Sequence, residues 1–174
     1  MKIAVTGARG TVGRECVKVC VDAGHHVVEI NRNEEEPDQR PNTEMRTADI
    51  ANDYRATVAA FKGCDALIHL AAIPTPVGQE DAMVHNNNTN SAFNGFRAAA
   101  ALGITKIAYA SSVNAIGLAF ANQPLKFDYF PIDEEAPSRP TDAYALAKIE
   151  TELQAQSFAH WSAEVDFPSR RRQN

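Results

Sequence analysis

The sequence lacks any apolar run long enough to cross a bilayer, and it lacks the pattern of a secretory signal. A membrane-spanning helix needs roughly 20 consecutive apolar residues. A signal peptide places charged, apolar and cleavable regions in order, and here Gly7 and Gly10 interrupt the apolar N-terminus. These two absences predict a cytoplasmic protein with no membrane partner.

Cysteines are few, and no recurrent metal-binding spacing is present. Cys16, Cys20 and Cys64 form no CxxC pair, which predicts reduced thiols packed as small hydrophobic side chains. The five histidines show no HExxH or similar zinc spacing, so we expect no metal site. A positive charge excess is also lacking: the net charge of -5 argues against a nucleic-acid partner.

The chain does contain a glycine-rich loop directly after its first apolar segment. Residues 1–6 are typical of a short buried strand, and Gly7, Gly10 and Gly13 follow at intervals of three before a segment of helical periodicity. Backbone without side chains can approach a pyrophosphate there, and a helix N-terminus favours the anion. The spacing excludes a P-loop, because Arg14 follows where Lys-Ser/Thr would be needed. The loop therefore predicts nucleotide binding.

Apolar segments of strand and helix character alternate along the rest of the chain. We predict strands at residues 1–6, 26–31, 43–47, 64–70 and 104–110, and helices at 12–23, 51–61, 79–102 and 141–161. Such alternation predicts the α/β class, with a Rossmann-like, doubly wound parallel sheet of about five strands. Ligands bind beyond the carboxyl ends of the strands in this architecture. Glycines, small residues and polar residues follow several predicted strands: Gly7 to Gly13, Asn31, Asp49, Ala71, Ala72, Ser111 and Ser112.

Tyr144 and Lys148 form a YxxxK motif on the last predicted helix. Residues four apart share a helix face, so the Lys148 ammonium could stabilise a Tyr144 phenolate for acid/base chemistry. The alternative is an ordinary surface tyrosine and lysine. Ser112 ends the fifth predicted strand, where its hydroxyl could polarise a substrate oxygen, and Ser111 competes for that role. The irregular stretch from 113 to 140 is longer than a simple connection in a compact domain. We therefore predict that it has a function and forms one wall of a pocket.

Together these motifs resemble the extended short-chain dehydrogenase/reductases, specifically the NAD-dependent epimerase/dehydratase family of sugar-nucleotide enzymes and their uronate-dehydrogenase-like relatives. The resemblance covers about residues 2 to 160. It is carried by Thr6 to Gly13, Asp49-Ile50, His69 to Ala72, Asn88 with Asn94, Ser111-Ser112 through Gly117, and Tyr144 to Lys148. It is specific for the superfamily and leaves the substrate open.

The resemblance implies a role for each matching residue. The expected cofactor-binding residues are Gly7, Arg9, Gly10, Thr11, Val12 and Gly13 at the pyrophosphate, Asp49 and Ile50 at the adenine, Leu70, Ala71 and Ala72 towards the ribose and nicotinamide, and Asn88 near the active site. Tyr144 would exchange a proton with the substrate hydroxyl, Lys148 would bind the nicotinamide ribose and stabilise the phenolate, and Ser112 would complete the catalytic set.

The second predicted strand departs from the family pattern at its end. Asn31 and Arg32 stand where an acidic residue usually binds the adenosine ribose of NAD. Glu29 comes two positions earlier, and we expect it to be an exposed strand residue. Arg32, together with Arg9, could instead bind a 2′-phosphate. The sequence therefore favours NADP over NAD as the cofactor.

The C-terminal region departs from the family as well. Enzymes of this kind continue past the YxxxK helix into a substrate-binding lobe, whereas residues 163–174 here are polar and basic. We therefore expect an NAD(P)-binding domain over 1–162, truncated after that helix, and a disordered tail over 163–174. The fifth strand would lie at an exposed sheet edge, which predicts aggregation or pairing with another chain.

Two functional hypotheses follow. The first is an NAD(P)-dependent oxidoreductase or epimerase-like enzyme that transfers a hydride at a carbinol carbon of a sugar, sugar nucleotide or related polar alcohol. The alternative is a non-catalytic dinucleotide-binding module, or an inactive truncated form of such an enzyme. By resemblance, a homodimer could form through the two long helices near residues 79–102 and 144–161.

Overall fold

Strands and helices alternate as predicted in a computed structural model, which describes residues 1–34, 40–124 and 126–161. The strands are β1 (Lys2–Thr6), β2 (His26–Asn31), β3 (Thr43–Thr47), β4 (Ala66–His69) and β5 (Lys106–Tyr109). The helices are α1 (Thr11–Asp22), α2 (Tyr54–Phe61), α3 (Asp81–Ala101) and α4 (Ala143–Trp161), with a short 3₁₀ helix at Val113–Ile116. The tail predicted for 163–174 lies outside the described residues.

The five strands form one parallel sheet in the order β3-β2-β1-β4-β5. The chain leaves β3 at one edge and re-enters the sheet at β4, on the other side of β1. The carboxyl ends of β1 and β4 therefore flank the point where the strand order reverses, which is the place where a crevice forms in this architecture. The predicted fold class is confirmed.

Apolar residues on alternate positions of the strands pack into two cores. Ala4, Val28, Ile30 and Leu67 join a large cluster with residues of α2, α3 and α4, including the fully buried Phe96. On the opposite face, residues of β1 and β2 pack with α1, namely Ile3, Val5, Val27 and Val17. Both faces of the central strands are covered, which explains the near-continuous apolar runs of β1, β2 and β4.

Several element boundaries differ from those predicted by the sequence. Helix α2 begins at Tyr54 rather than at 51, because Asp53 caps it by accepting a hydrogen bond from the Ala56 N–H at 2.9 Å. Helix α3 likewise begins at Asp81 after its cap Glu80. Strands β4 and β5 are shorter than predicted and have four residues each. The other residues predicted for them belong to the connections before and after each strand. The capping residues Asp53 and Glu80 therefore determine where α2 and α3 begin.

Strand β5 lies at an edge of the sheet, as predicted. Lys106 and Ala108 on one of its faces are exposed, whereas Ile107 on the other is buried against the larger core. The strand therefore has one covered face, one open face and an edge without a neighbouring strand in the described part of the chain.

Candidate functional site

The glycine loop joins β1 to α1 at the reversal point of the sheet. Gly7 has a φ of +65°, and a Cβ there would lie 3.1 Å from the backbone of Leu70 and Ala71 at the exit of β4. A Cβ on Gly13 would lie 2.2 Å from the Gly7 carbonyl oxygen. Glycine is required at both positions, because the loop packs backbone to backbone against β4 and against the first turn of α1.

The first turn of α1 is open to an anion. Gly10 is its N-cap residue and has no side chain that could occupy the first N–H groups of the helix. Those groups carry the positive end of the helix dipole, so phosphate is the chemistry that they favour. The loop therefore has the geometry that a pyrophosphate needs.

A cleft of about 580 Å³ opens from this loop across the carboxyl ends of the strands. Its lining contains thirteen residues that the sequence predicted for cofactor binding: Gly7, Arg9, Gly10, Thr11, Val12, Gly13, Asn31, Arg32, Asp49, Ile50, Leu70, Ala71 and Ala72. This volume lies in the range of cofactor and ligand sites. The structure thus brings the glycine loop after β1 together with the exits of β2, β3 and β4 around one cleft.

Asn31 presents an unsatisfied donor at the end of β2. Its Oδ1 accepts a hydrogen bond from the Arg9 N–H at 3.1 Å, which fixes the side chain between the loop and the strand. Its Nδ2 is buried and has no hydrogen-bond partner among the described residues. A buried polar group of this kind costs free energy unless a ligand or water satisfies it. The site therefore fits a ligand with an acceptor oxygen near Asn31.

Asn88 lies behind the cleft wall rather than in it. Its Oδ1 accepts the Ile73 N–H at 2.7 Å, and its Nδ2 donates to the Ile73 carbonyl at 3.0 Å. Ser91 donates to the Ala71 carbonyl at 3.0 Å. Helix α3 therefore holds the backbone of residues 71–73 by three side-chain hydrogen bonds, and the geometry gives Asn88 a positioning role.

Thr6 and His69 complete this support from within the sheet. Thr6 Oγ1 accepts the N–H groups of Leu70 and Ala71 at 3.0 and 3.1 Å, and it lies 2.9 Å from His69 Nδ1. Sequence reasoning gave neither residue a function of its own. The sequence feature that could have indicated a role is that each is a polar residue at the end of an otherwise apolar strand.

Glu29 contradicts the expectation of an exposed strand residue. It is only 1% exposed, and its Oε2 forms an ion pair with Arg9 Nε at 3.1 Å. The prediction was wrong because Glu29 lies on the same face of β2 as Val27, and this face is covered by α1. One of the two arginines expected to bind a 2′-phosphate is thus paired with a buried carboxylate.

Lys148 and Tyr144 project from α4 towards the exit of β5. Lys148 Nζ donates to the Ala110 carbonyl at 2.6 Å and lies 5.6 Å from the centre of the Tyr144 ring. Lys148 is 7% exposed, and this burial lowers its pKa from 10.5 to about 8. Phe120 packs edge to face against Tyr144, with 5.9 Å between ring centres. The YxxxK residues therefore share a face, and both ring and ammonium are fixed by neighbours.

The two serines after β5 have different partners. Ser111 donates its hydroxyl to the buried carboxylate of Glu152. Ser112 Oγ accepts the Asn114 N–H at 3.1 Å and caps the 3₁₀ helix, which leaves its hydroxyl hydrogen able to donate to a substrate oxygen. This arrangement favours Ser112 over Ser111 for substrate contact.

Lys148 and Tyr144 lie at the end of β5, and the cleft reaches the end of the neighbouring strand β4. Tyr109 and His69 are register partners in β5 and β4, and the Ala110 N–H donates to the His69 carbonyl at 3.1 Å. Lys148, bound to Ala110, therefore lies beside the Leu70 end of the cleft. Across the described ranges, no helix has the length and apolar character to cross a membrane, and no three metal-ligating side chains cluster.

The parallel sheet, the glycine loop and the cleft define a Rossmann-type dinucleotide-binding fold. A family model described as "NAD dependent epimerase/dehydratase family" matches residues 3–167. The chain belongs to this family.

Three known proteins illustrate the similarity. An L-arabinose 1-dehydrogenase (NAD(P)(+)) of Haloferax volcanii is 32% identical over 85% of this chain and 57% of its own length. A UDP-glucose 4-epimerase of Corynebacterium glutamicum is 28% identical over 91% of this chain and 47% of its own. A crystal structure of uronate dehydrogenase from Agrobacterium tumefaciens matches with a TM-score of 0.76 and 25% identity, over 94% of this chain and 57% of that one. The chain spans about half the length of these proteins.

Proposed function

We propose that the cleft binds NAD(P) and that the chain supplies the acid/base residues for hydride transfer at a carbinol carbon. The observation that carries this proposal is the placement of the Lys148 and Tyr144 pair one strand away from the glycine-loop cleft. The glycine loop would hold the pyrophosphate, and the Asn31 amide would donate to the adenosine ribose. Leu70 to Ala72 would lie along the nicotinamide half.

Each residue of the catalytic cluster has a distinct part in this proposal. A bound nicotinamide would supply the hydride acceptor. The Lys148 ammonium would stabilise Tyr144 as the phenolate. The phenolate oxygen would take the proton of the substrate hydroxyl as the hydride leaves, and Tyr144 would become the neutral phenol. Ser112 would donate a hydrogen bond to the same substrate oxygen and orient it. The Ala110 carbonyl holds Lys148 in place for this task.

The substrate class is a sugar, a sugar nucleotide or a related polar alcohol. The named activities of the similar proteins support this class, since they concern L-arabinose, UDP-glucose and a uronate. Residues 113–140 would contribute one wall of the substrate pocket.

NADP is the preferred cofactor in this proposal. Asn31 replaces the acidic residue that would repel a 2′-phosphate, and the exposed Arg32 lies on the lining of the cleft beside it. Titration of the purified chain with NADH and NADPH, followed by nicotinamide fluorescence, tests both binding and preference. An affinity for NADH equal to or above that for NADPH would contradict the preference but not the binding.

Turnover is tested separately with a panel of sugars and sugar nucleotides. Tyr144→Phe should abolish turnover while cofactor affinity stays within about two-fold, because the ring and its contacts remain and only the proton-transfer group is lost. Gln156→Ala, at an exposed position further along α4, is the matched control and should leave both unchanged. Turnover retained in Tyr144→Phe would remove this residue from the mechanism.

A non-catalytic dinucleotide-binding module is the second candidate. The observation in its favour is that the glycine loop, Asn31 and the exits of β3 and β4 form the cleft without any contribution from Tyr144 or Lys148 to its lining. Fluorescence titration that shows NADPH binding, together with no oxidation of any sugar in the panel, would favour the module over the enzyme.

Assembly and location remain predictions. Helices α3 and α4 expose a set of apolar side chains, Met83, Phe93, Leu146 and Leu153, which supports a homodimer through these helices. Light scattering of the purified chain tests it, and a stable monomer would contradict it. A cytoplasmic location depends on the sequence features described above, and fractionation of expressing cells would test it.

A further inference from the structure

The buried side chain of Asn114 joins the loop after β5 to the start of α4. Its Oδ1 accepts the N–H groups of Ala119 and Phe120 at 2.5 and 3.3 Å, and its Nδ2 donates to Asp142 Oδ2 at 3.2 Å. Only 2% of Asn114 is exposed. We propose that Asn114 is a positioning residue that fixes the place of the Tyr144 ring, an inference that rests on the proposed role of Tyr144.

The turn after the 3₁₀ helix brings the loop onto this amide. Ser112 Oγ accepts the Asn114 N–H at 3.1 Å and caps the 3₁₀ helix, which ends at Gly117 with a φ of +91°. A φ in this region favours glycine, and it reverses the chain so that residues 119 and 120 lie over the Asn114 side chain. Asn114 is therefore also hydrogen-bonded to the serine proposed to contact the substrate.

Both ends of this link lead to Tyr144. On the loop side, Phe120 packs edge to face against the Tyr144 ring, with 5.9 Å between the ring centres. On the helix side, Asp142 Oδ1 accepts the Ala145 N–H at 2.8 Å, as an N-cap residue does, and α4 begins directly after it. Tyr144 is the second residue of that helix. The Asn114 amide therefore holds both the neighbour of the ring and the helix turn that carries the ring.

The hydrogen bonds leave one orientation for the Asn114 amide. Two backbone N–H groups point at one end of the side chain, so this end must be the carbonyl oxygen, which has two lone pairs. The NH2 end then faces the Asp142 carboxylate, which accepts its hydrogen bond. Asn114 is enclosed by these groups, so its effect on the chemistry would pass through the residues that it holds.

Exchange of the two side chains tests the link. In Asn114→Asp, two carboxylates would face each other and repel. In Asp142→Asn, the new side chain is an equally good N-cap, but its NH2 group would then face the NH2 group of Asn114. The double variant Asn114→Asp/Asp142→Asn again places a donor opposite an acceptor and has the net charge of wild type. Both single variants should therefore disturb Tyr144, and the double variant should restore it.

Fluorine NMR of protein labelled with 3-fluorotyrosine follows Tyr144 without any substrate or cofactor. The Tyr144 resonance is assigned by its absence in Tyr144→Phe. It should shift or broaden in both single variants and return to its wild-type position in the double variant. Circular dichroism establishes that each variant is folded. If Asn114→Asp does not fold, Asp142→Asn and the double variant carry the test.

Thr57→Val is the control for a loss of stability alone. It removes a hydrogen bond to the Asp53 carbonyl in α2 and touches neither the loop nor α4. The Tyr144 resonance should stay at its wild-type position in this variant. The same change in Thr57→Val as in the single variants would overturn the inference, because lost stability would then explain both.

Kinetics with any sugar or sugar nucleotide of the panel that is oxidised provide a second measurement. The two single variants should lower kcat at least about ten-fold, because a misplaced acid/base group slows proton transfer, and the double variant should recover to within about two-fold of wild type. The dissociation constant of NADPH should stay within about two-fold in all three, since neither Asn114 nor Asp142 lines the cleft.

An unchanged Tyr144 resonance in the folded single variants would overturn the inference, because the link would then not position the ring. A double variant that resembles the single variants would also overturn it, since the effect would not depend on this hydrogen bond. Absence of dinucleotide binding and of turnover in wild type would overturn the proposed function, whereas the resonances would still show whether Asn114 positions Tyr144.

Discussion

Thr6 and His69 are register partners at the last positions of β1 and β4, and Thr6 Oγ1 lies 2.9 Å from His69 Nδ1. The same oxygen accepts two backbone N–H groups, from Leu70 and Ala71. A hydroxyl with both lone pairs engaged can only donate to a third partner, so Nδ1 is the acceptor and Nε2 carries the ring proton. One hydroxyl thus joins the glycine-loop strand to the backbone that lines the cleft.

Thr6→Val should weaken cofactor binding about ten-fold, because it leaves two partly buried N–H groups, those of Leu70 and Ala71, without their acceptor at the cleft wall. Thr6→Ser keeps the hydroxyl and should stay within about two-fold of wild type. Thr57→Val is the control: Thr57 Oγ1 donates to the Asp53 carbonyl at 2.7 Å inside α2, away from the cleft. It should lower stability and leave the affinity measured by fluorescence titration unchanged. Equal affinities in the two Thr6 variants would contradict the assignment.

His69 should make the fold less stable as the pH falls from 6.5. Burial, with a smaller effect of the Lys148 charge, lowers the pKa of His69 to about 3. Between pH 6.5 and 3 the unfolded chain binds a proton that the folded chain does not, so the unfolding free energy falls on acidification, by up to about 1.4 kcal/mol per pH unit. Urea unfolding of His69→Gln between pH 7 and 4 should show a shallower loss than wild type.

His160→Gln, at an exposed position of α4, provides the comparison for this experiment. Its unfolding free energy should follow the wild-type pH dependence. A His69→Gln curve that runs parallel to wild type over the whole range would be incompatible with a neutral, buried imidazole.

Lys148 should make both stability and turnover depend on pH above 8. Its folded-state pKa is lowered by burial to about 8, so between pH 8 and 10.5 the unfolded chain binds more protons than the folded chain. The unfolding free energy of wild type should therefore rise relative to Lys148→Met across this window. If the charged form stabilises the Tyr144 phenolate, kcat/KM should decline above about pH 8.

Lys106→Met, at an exposed position of β5, is the control for both measurements and should show neither effect. Lys148→Arg should move the decline in kcat/KM to higher pH, because a guanidinium stays protonated there. An unchanged alkaline decline in Lys148→Arg would assign it to another group.

The two neighbouring serines provide a matched pair of variants. Ser112→Ala should lower kcat by about 10²-fold, because it removes a proposed hydrogen bond to the substrate oxygen. It should also cost about 1 kcal/mol of stability, because the Asn114 N–H loses its cap. Ser111→Ala should cost about 1–2 kcal/mol of stability and leave kcat unchanged, since it removes only a hydrogen bond to the buried Glu152 carboxylate. Chemical denaturation and steady-state kinetics separate the two. A kinetic loss confined to Ser111→Ala would reverse the assignment.

The sequence alone determined the order of the strands and helices of this protein and where its cleft-lining residues occur. Periodicity and glycine spacing act over a few residues, so β1, β2, β3 and the glycine loop could be located without the fold. Family motifs then identified the cleft-lining residues, because these follow the strands in chain order.

Only the tertiary structure decided which side chains meet across the sheet. The pairs Thr6 with His69, Arg9 with Glu29, and Ser111 with Glu152 join residues on different elements. Burial of Glu29 could not be read from β2 alone, because a strand's outer face is covered only when neighbouring elements are placed on it. Strand order and helix packing therefore determine which charges are paired, which hydroxyls are committed, and which donors remain for a cofactor.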